Sequence, residues 1–374
     1  MNVFASSPEG LENTLAKEIL LLGGKEIKIN KRLIAFNCDY STFYKLHFFS
    51  KIAFRFYREI ARFTCNDKNT LYKGVQTSFD WLNWLPVNQT FCVRVTGSTK
   101  LLRHSHFTAL QVKNSIIDLQ KSTFSSRSNI SIDNPYLIIH LHLYNNEAVL
   151  SLQSTIQSLH KRGYRPAIGN APLKENIASG LIQITDWDGT KPLIDLMCGS
   201  GTFLIEAISN VLQIPLNQKK NYLFENWLDF DQKKYLEELN KLEQNNWKYK
   251  KISKVIGCEI DRDVFNQAKE NITRAKLHKY VEIINDDFLS FKSNLESGII
   301  ICNPPYGKKL GKEKELIDLY SNLGEFVKDK FSGWEFWMLS GNPSLTKYLK
   351  MKSSIKIPIS NGGINCRWIK YLIR

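Results

Sequence analysis

No run in this sequence comes near the roughly 20 consecutive apolar residues that a membrane-spanning helix needs. The first ten residues, Met1 to Gly10, have neither the basic start nor the apolar stretch of a secretory signal. Paired cysteines are missing as well. The seven present, Cys38, Cys65, Cys92, Cys198, Cys258, Cys302 and Cys366, are odd in number and never spaced CxxC. That argues against a disulfide framework and against a zinc knuckle. They read as small core residues in a reducing compartment, so a cytoplasmic protein is expected. Internal repeats and low-complexity stretches are absent too. Acidic residues are scarce: 36 Asp+Glu stand against 51 Lys+Arg, a formal charge of +15.

The basic excess is uneven. Residues 1–166 hold 21 basic and 11 acidic side chains, whereas residues 167–374 hold 30 and 25. So one-sided a front portion points to a polyanionic partner. With 374 residues, 43% of them hydrophobic and 12% aromatic, the chain has material for two or three modest cores.

Three regions separate along the chain. In residues 1–50, Pro8-Glu9-Gly10-Leu11-Glu12 opens an amphipathic helix that Gly23-Gly24 ends near Leu22. Short strands at Lys28-Ile29 and Leu33–Phe36 flank a Lys31-Arg32 turn. Residues 51–160 mix a helix at Ser78–Leu82, a strand at Gln89–Thr96 and a helix from His106 to Leu119. A hairpin follows, Pro135–Leu143 with Glu147–Leu152 across Asn145-Asn146. His104/His106 and His140/His142 each stand two apart. Without a third ligand such spacing reads as a polar strand edge, and no metal is expected.

From about residue 190 apolar strands alternate with helices: Pro192–Met197, Lys254–Ile260, Val281–Asn285, Gly298–Cys302 and Trp334–Leu339. That alternation predicts an α/β fold with a mostly parallel, doubly wound sheet. Ile355–Ile359 and Arg367–Ile373 around Asn361-Gly362-Gly363 predict a closing hairpin. Residues 161–374 make one Rossmann-like domain, with a polar helical insertion at about 210–250.

Its candidate chemistry gathers at strand ends. The first strand runs into Asp195-Leu196-Met197-Cys198-Gly199-Ser200-Gly201-Thr202 and a helix. Such a turn lets a ligand approach the backbone closely. The GxG spacing with no following lysine is not that of a P-loop, so a nucleoside with a charged amino-acid tail suits it better than a triphosphate. Glu259 ends the second strand, where ribose hydroxyls are held in such folds. Asp261 falls where a helix N-cap belongs. Asp286-Asp287-Phe288 ends the third strand, suited to accepting from an adenine amino group and stacking on its ring.

The fourth strand delivers Asn303-Pro304-Pro305-Tyr306. An exocyclic amine on a base is a poor nucleophile because its lone pair is delocalised into the ring. The Asn303 side-chain oxygen and the Pro304 carbonyl can accept its two N–H bonds and turn the lone pair outward. The prolines stiffen the loop, and Tyr306 offers a face to the target base.

These residues resemble the amino-group methyltransferases that use S-adenosylmethionine. More narrowly, they resemble the bacterial large-subunit ribosomal RNA guanine-N2 methyltransferases that carry a THUMP domain. The likeness rests on Phe4–Glu12, Ser158–Arg165, Ala171–Ala178, the GxG segment, Phe224–Phe230 and Asn303–Gly311. It implies an N-terminal ferredoxin-like part over 1–50, a THUMP RNA-binding domain over 51–160 and a class I methyltransferase domain over 161–374. It implies cofactor contacts from Asp195, Met197, Cys198, Gly199, Gly201, Thr202, Glu259, Ile260, Asp287, Phe288 and Asn303. The target-base site falls to Asn303, Pro304, Pro305 and Tyr306. RNA contacts fall to Lys161, Arg162, Tyr164 and Arg165, a basic and aromatic run suited to phosphates and stacking. Two departures stand out: Gln153–Gln157 lacks the family's acidic and glycine residues, and Leu196 replaces a proline. The chain is also shorter than the fused two-methyltransferase members.

The expectation is therefore methylation of the N2 amino group of a guanine in 23S ribosomal RNA, naked or in a precursor particle, by a monomer with no membrane role. The same reaction on a tRNA guanine is the nearest alternative. DNA adenine-N6 methylation and a non-catalytic RNA-binding assembly factor are more distant ones.

Overall fold

A computed structural model describes residues 1–165, 173–217, 220–244, 251–306 and 313–374. Parts of the Ala171–Ala178 and Asn303–Gly311 segments and of the insertion thus lie outside the described residues. The chain divides into two compact units. One comprises Met1–Ser6, Ile19–Leu159 and Asn217–Gln244, the other Ser7–Glu18, His160–Leu216 and Asn245–Arg374.

The first unit is built on one eight-stranded sheet that runs through both the expected ferredoxin-like and THUMP segments. Its strands are β1 (Asn2–Ser6), β2 (Lys25–Asn30), β3 (Leu33–Asn37), β4 (Arg55–Thr64), β5 (Thr90–Gly97), β6 (Asn129–Ile130), β7 (Leu137–Tyr144) and β8 (Glu147–Gln153), in the order β2-β3-β1-β4-β8-β7-β5-β6. β7 and β8 pair through Tyr144 and Glu147, with Asn145 at φ 53°, a backbone state Asn tolerates in a two-residue turn. β1, β4 and the helix Tyr40–Phe49 were not anticipated from the sequence. In β4 the polar side carries Arg55, Tyr57 and Glu59, which mutes the alternation.

One expected element is different. Ser78–Leu82 is not a continuous helix. The helix Lys68–Ser78 stops at an extended Phe79, and Asp80 then caps the short helix Trp81–Trp84 by accepting from the Asn83 N–H. Capping and burial of Trp81, whose indole N–H donates to the Val75 carbonyl at 2.6 Å, win over local helix propensity.

The insertion segment 220–244 packs within this first unit. Tyr222 stacks on Phe224, and Phe224 meets Phe43, Tyr44 and His47. His47 is fully buried and its pKa is pushed down to about 3 by burial, so it stays neutral. Asp229 pairs with Arg58 at 2.7 Å. The guanidinium of Arg58 lies within 6 Å of the rings of Tyr40, Trp84 and Trp227.

The second unit carries a seven-stranded sheet of β9 (Leu193–Asp195), β10 (Val255–Cys258), β11 (Val281–Ile284), β12 (Ile299–Cys302), β13 (Glu335–Ser340), β14 (Ser353–Asn361) and β15 (Ile364–Leu372). Their order is β11-β10-β9-β12-β13-β15-β14, parallel from β11 to β13 and antiparallel beyond. The central strands β9, β10 and β12 are short and fully buried, and β10 and β12 are rich in β-branched residues, as a sheet covered on both faces requires. Ile194 lies between Ile256 and Ile300, and these join Phe336, Tyr320, Leu323 and Val327 in the core. Gly362 and Gly363, at φ 60° and 86°, make the two-residue turn that joins β14 and β15. The strand order reverses at β9, which opens a crevice beyond the carboxyl ends of β9, β10 and β12. No helix among the described residues is long and apolar enough to cross a membrane.

Candidate active site

The glycine turn is pinned from several sides. After β9, the Leu196 N–H donates to Ile301 O at 3.3 Å and the Cys198 N–H to Cys258 O at 2.8 Å. Met197 N–H donates to Asp195 Oδ1 at 3.2 Å. Gly199 and Gly201 take φ of 53° and 78°, left-handed values that only glycine adopts cheaply. A Cβ at Gly199 would meet nothing within 4 Å, so one side of the turn is open. Gly257 has the opposite role. A Cβ there would come within 3.0 Å of Cys198 Sγ and 2.6 Å of Leu204 Cδ1. The turn therefore rests directly on the β10 backbone.

Glu259 holds the turn to the next helix. Its Oε2 accepts from the Gly199 N–H at 3.0 Å and its Oε1 from the Asp261 N–H at 2.9 Å. Asp261 caps the helix Arg262–Arg274, accepting from Asp263 and Val264 N–H at 2.9 and 3.0 Å, the capping role read from the sequence. Asn285 Nδ2 fixes the same corner by donating to the carbonyls of Glu259 and Ile260. Ile260 itself is 68% exposed, an apolar side chain at a polar rim.

Asp195 is fully enclosed. Burial pushes its pKa up to about 8, with the Glu259 carboxylate adding to the rise and the Met197 N–H opposing it. A buried carboxyl so placed is ready to meet a cation. Asp287 caps the turn after β11 through the Leu289 N–H at 3.0 Å. Phe288 lies elsewhere than expected. Its ring is buried edge-to-face on Phe326 in the core, so it cannot be the stacking face at this rim. Core packing claimed the ring, and Ile260 is an exposed apolar group on this edge.

Across β9, Asp195 is in register with Ile301, two residues before Asn303. The side-chain oxygen of Asn303 is buried and has no hydrogen-bond partner among the described residues. Pro304 is buried and Pro305 exposed. Tyr306 is held by residues the sequence did not single out. Its hydroxyl accepts from Asn361 Nδ2 at 3.3 Å and from Cys366 Sγ at 3.7 Å. Its ring takes the space a Cβ at Gly341 would fill, 2.7 Å from two ring carbons. Burial pushes the phenol up to about 12. Gly341 follows β13, at the same edge of the sheet as the other site residues, and that position was the available signal.

The Lys161–Arg165 run is placed differently from the expectation. Lys161 is exposed. Arg162 and Tyr164 are buried, at 9% and 5% exposure, and turn inward to Glu206. Arg162 Nε lies 3.6 Å from Glu206 Oε1, and the Tyr164 hydroxyl donates to the same oxygen at 3.1 Å. Arg165 pairs with Glu175 at 3.1 Å and donates to Thr202 Oγ1 at 3.2 Å. Two acids on the helices Glu175–Ile184 and Thr202–Val211 thus take up the guanidiniums that sequence reading assigned to RNA. Through Thr202 the run braces the glycine turn. Among the described residues no group of three or more His, Cys, Asp or Glu is arranged to hold a metal.

Known proteins resemble this chain along its whole length. Residues 162–370 match the RMKL-like methyltransferase domain, 65–153 the THUMP domain and 2–57 the RlmL ferredoxin-like domain. A Synechocystis protein provisionally named RNA methyltransferase slr0064 is 37% identical over 98% of this chain and 96% of its own length. The ribosomal RNA large subunit methyltransferase K/L of Vibrio parahaemolyticus is 34% identical over 99% of this chain, which spans only 53% of that protein. Among solved structures, a Clostridium difficile protein titled a possible methylase superposes with a TM-score of 0.90 at 26% identity, covering 100% and 98% of the two chains. SMU.472, provisionally titled a methyltransferase and solved in complex with SAH, gives 0.88 at 24% identity, covering 100% and 98%. With the methyltransferase domain matched over more than half of its residues and a relative 37% identical over nearly its whole length, this chain belongs to the RMKL-like methyltransferase family.

Proposed function

We propose that the chain transfers a methyl group from S-adenosylmethionine to the N2 amino group of a guanine in 23S ribosomal RNA, acting in the cytoplasm as a monomer. The observation that carries this is the buried Asn303 side-chain oxygen, without a partner among the described residues, next to the register of Asp195. A buried acceptor left unmet costs about 1–3 kcal/mol, so its retention points to a donor that arrives with substrate.

The residues present fit the cofactor. The open side of the turn at Gly199, the carboxylates of Asp195, Glu259 and Asp287, and the exposed Ile260 offer backbone, charge and apolar surface for a nucleoside with a cationic amino-acid tail. When bound, that group supplies an electrophilic methyl. The remaining work belongs to the chain. Asn303 Oδ1 and the Pro304 carbonyl accept the two N–H bonds of the guanine amine, which favours a pyramidal nitrogen with its lone pair directed outward. Pro304 and Pro305 hold the loop without adding a competing donor. Tyr306, fixed by Asn361 and Cys366, gives the base a platform. Asp195 lies too deep to take the amine proton, which leaves to solvent.

Mass-spectrometric mapping of ribosomal RNA from a strain lacking this protein tests the proposal. Loss of one N2-methylguanosine from 23S RNA is expected. Unchanged 23S RNA with a modification missing from tRNA would reject it.

A further inference from the structure

Part of one face of the eight-stranded sheet is polar and basic. Tyr57 on β4 stands opposite Gln153 on β8, and Glu59 opposite Ser151. Ser151 also faces His140 on β7, which faces Arg94 on β5. Arg55 is two residues before Tyr57 and so points to the same side. The Tyr57 and His140 rings lie 4.7 Å apart. Arg94 Nη1 donates to Gln153 Oε1 at 3.2 Å. His140 Nε2 and His142 Nδ1 share Thr96 Oγ1 at 3.2 and 3.0 Å.

Counter-charge is what this cluster lacks. The carboxylate in its rows, Glu59, is engaged by Arg62 at 3.0 Å. Arg55 and Arg94 have no carboxylate partner among the described residues, and Arg55 Nε is buried without a hydrogen bond. Burial, then the repulsion of Arg94, lowers the pKa of Arg55 against the opposing pull of Tyr57. Burial, His142 and both arginines push His140 down to about 4. Partly desolvated like charges are unfavourable in the free protein unless an anion completes them. A phosphodiester does so well, because its two free oxygens match the guanidinium fork. The Tyr57–His140 pair beside the arginines adds a face on which an unpaired base can stack, which neither a free phosphate nor an acidic peptide would use.

We propose that Arg55 and Arg94, with Tyr57 and His140 beside them, bind the phosphodiester backbone of a single-stranded stretch of RNA. The proposal rests on the RNA-methyltransferase reading above and names where that substrate is gripped, in place of the buried Arg162 and Tyr164.

The test is fluorescence anisotropy of the full chain with a labelled single-stranded RNA oligonucleotide, over a series of salt concentrations, for wild type, R55Q, R94Q and R94K. Each Gln variant should weaken binding by about tenfold and flatten the slope of log affinity against log salt by roughly 0.7, one phosphate contact on a single strand. R94K should keep the slope and lose part of the affinity. Thermal midpoints of the Gln variants should equal or exceed wild type, since a repulsion is relieved. Unchanged affinity and slope in both Gln variants, with wild type binding RNA, would overturn the site and leave the RNA reading standing. Absence of RNA binding by wild type would overturn both. A thermal shift caused by inorganic phosphate at constant ionic strength, abolished in R55Q while RNA affinity stays unchanged, would mark a small-anion site and overturn the RNA assignment.

Discussion

Gly341 lies against the ring of Tyr306, and a Cβ at that position would come within 2.7 Å of two ring carbons. Real side chains do not tolerate that approach, so Gly341→Ala must displace the ring from its place under Asn361 and Cys366. Sub-ångström shifts of a platform are costly to a reaction that depends on alignment. The variant should lose about tenfold or more in kcat with cofactor affinity within about twofold of wild type. Steady-state kinetics with cofactor calorimetry check this. Tyr306→Phe, which keeps the ring and drops the hydroxyl, should lose less.

Asp195 gives the free protein a pH dependence whose sign is fixed by its raised pKa. The unfolded carboxyl titrates near 3.8 and the folded one at about 8. Between those values the folded state binds the extra proton, so this group's contribution to stability is full below the lower value and is lost as pH rises through the upper. Asp195→Asn should therefore raise the thermal midpoint more at pH 8 than at pH 5. Calorimetric scans at several pH values check that difference. A cationic ligand favours the ionised carboxyl, so cofactor affinity in wild type should tighten as pH rises towards 8. The Asn variant should lack that trend.

Glu206 anchors both Arg162 and Tyr164, and its side chain is fully buried. Glu206→Gln should destabilise the fold by about 3–5 kcal/mol, the usual cost of leaving one buried partner without its opposite charge. Tyr164→Phe should cost only about 1 kcal/mol, one hydrogen bond. Neither change should alter the salt slope of RNA binding once temperature is chosen so that the variants are folded. Denaturant unfolding and anisotropy titrations separate the two effects.

Much of the sheet and of the frame of the candidate site was legible because it is written in local terms. Short β-branched runs, a GxG turn and the Asn303–Tyr306 loop each carry their meaning within a few residues, and Asp261 announced itself as a cap. What stayed hidden depends on partners distant in sequence. Nothing around Arg162 shows that Glu206, inside a mostly apolar helix, faces it. Phe288 follows two aspartates as a stacking residue would, yet the helix Glu313–Lys330 supplies Phe326 to bury it. Asn361 reads as a turn residue, and Gly341 carries no mark of its own, until the sheet brings them to Tyr306. Arg55 and Arg94 stand on strands far apart in sequence, and only strand pairing joins them into one face.

The rate of N2-methylguanosine formation by wild type and Asn303→Ala, on the same large-subunit RNA with saturating S-adenosylmethionine, tests the central claim most directly. Removing the side-chain acceptor should slow that rate by at least about two orders of magnitude while calorimetric cofactor affinity stays within about threefold. Near-normal formation of N2-methylguanosine by the Asn303→Ala protein would contradict it.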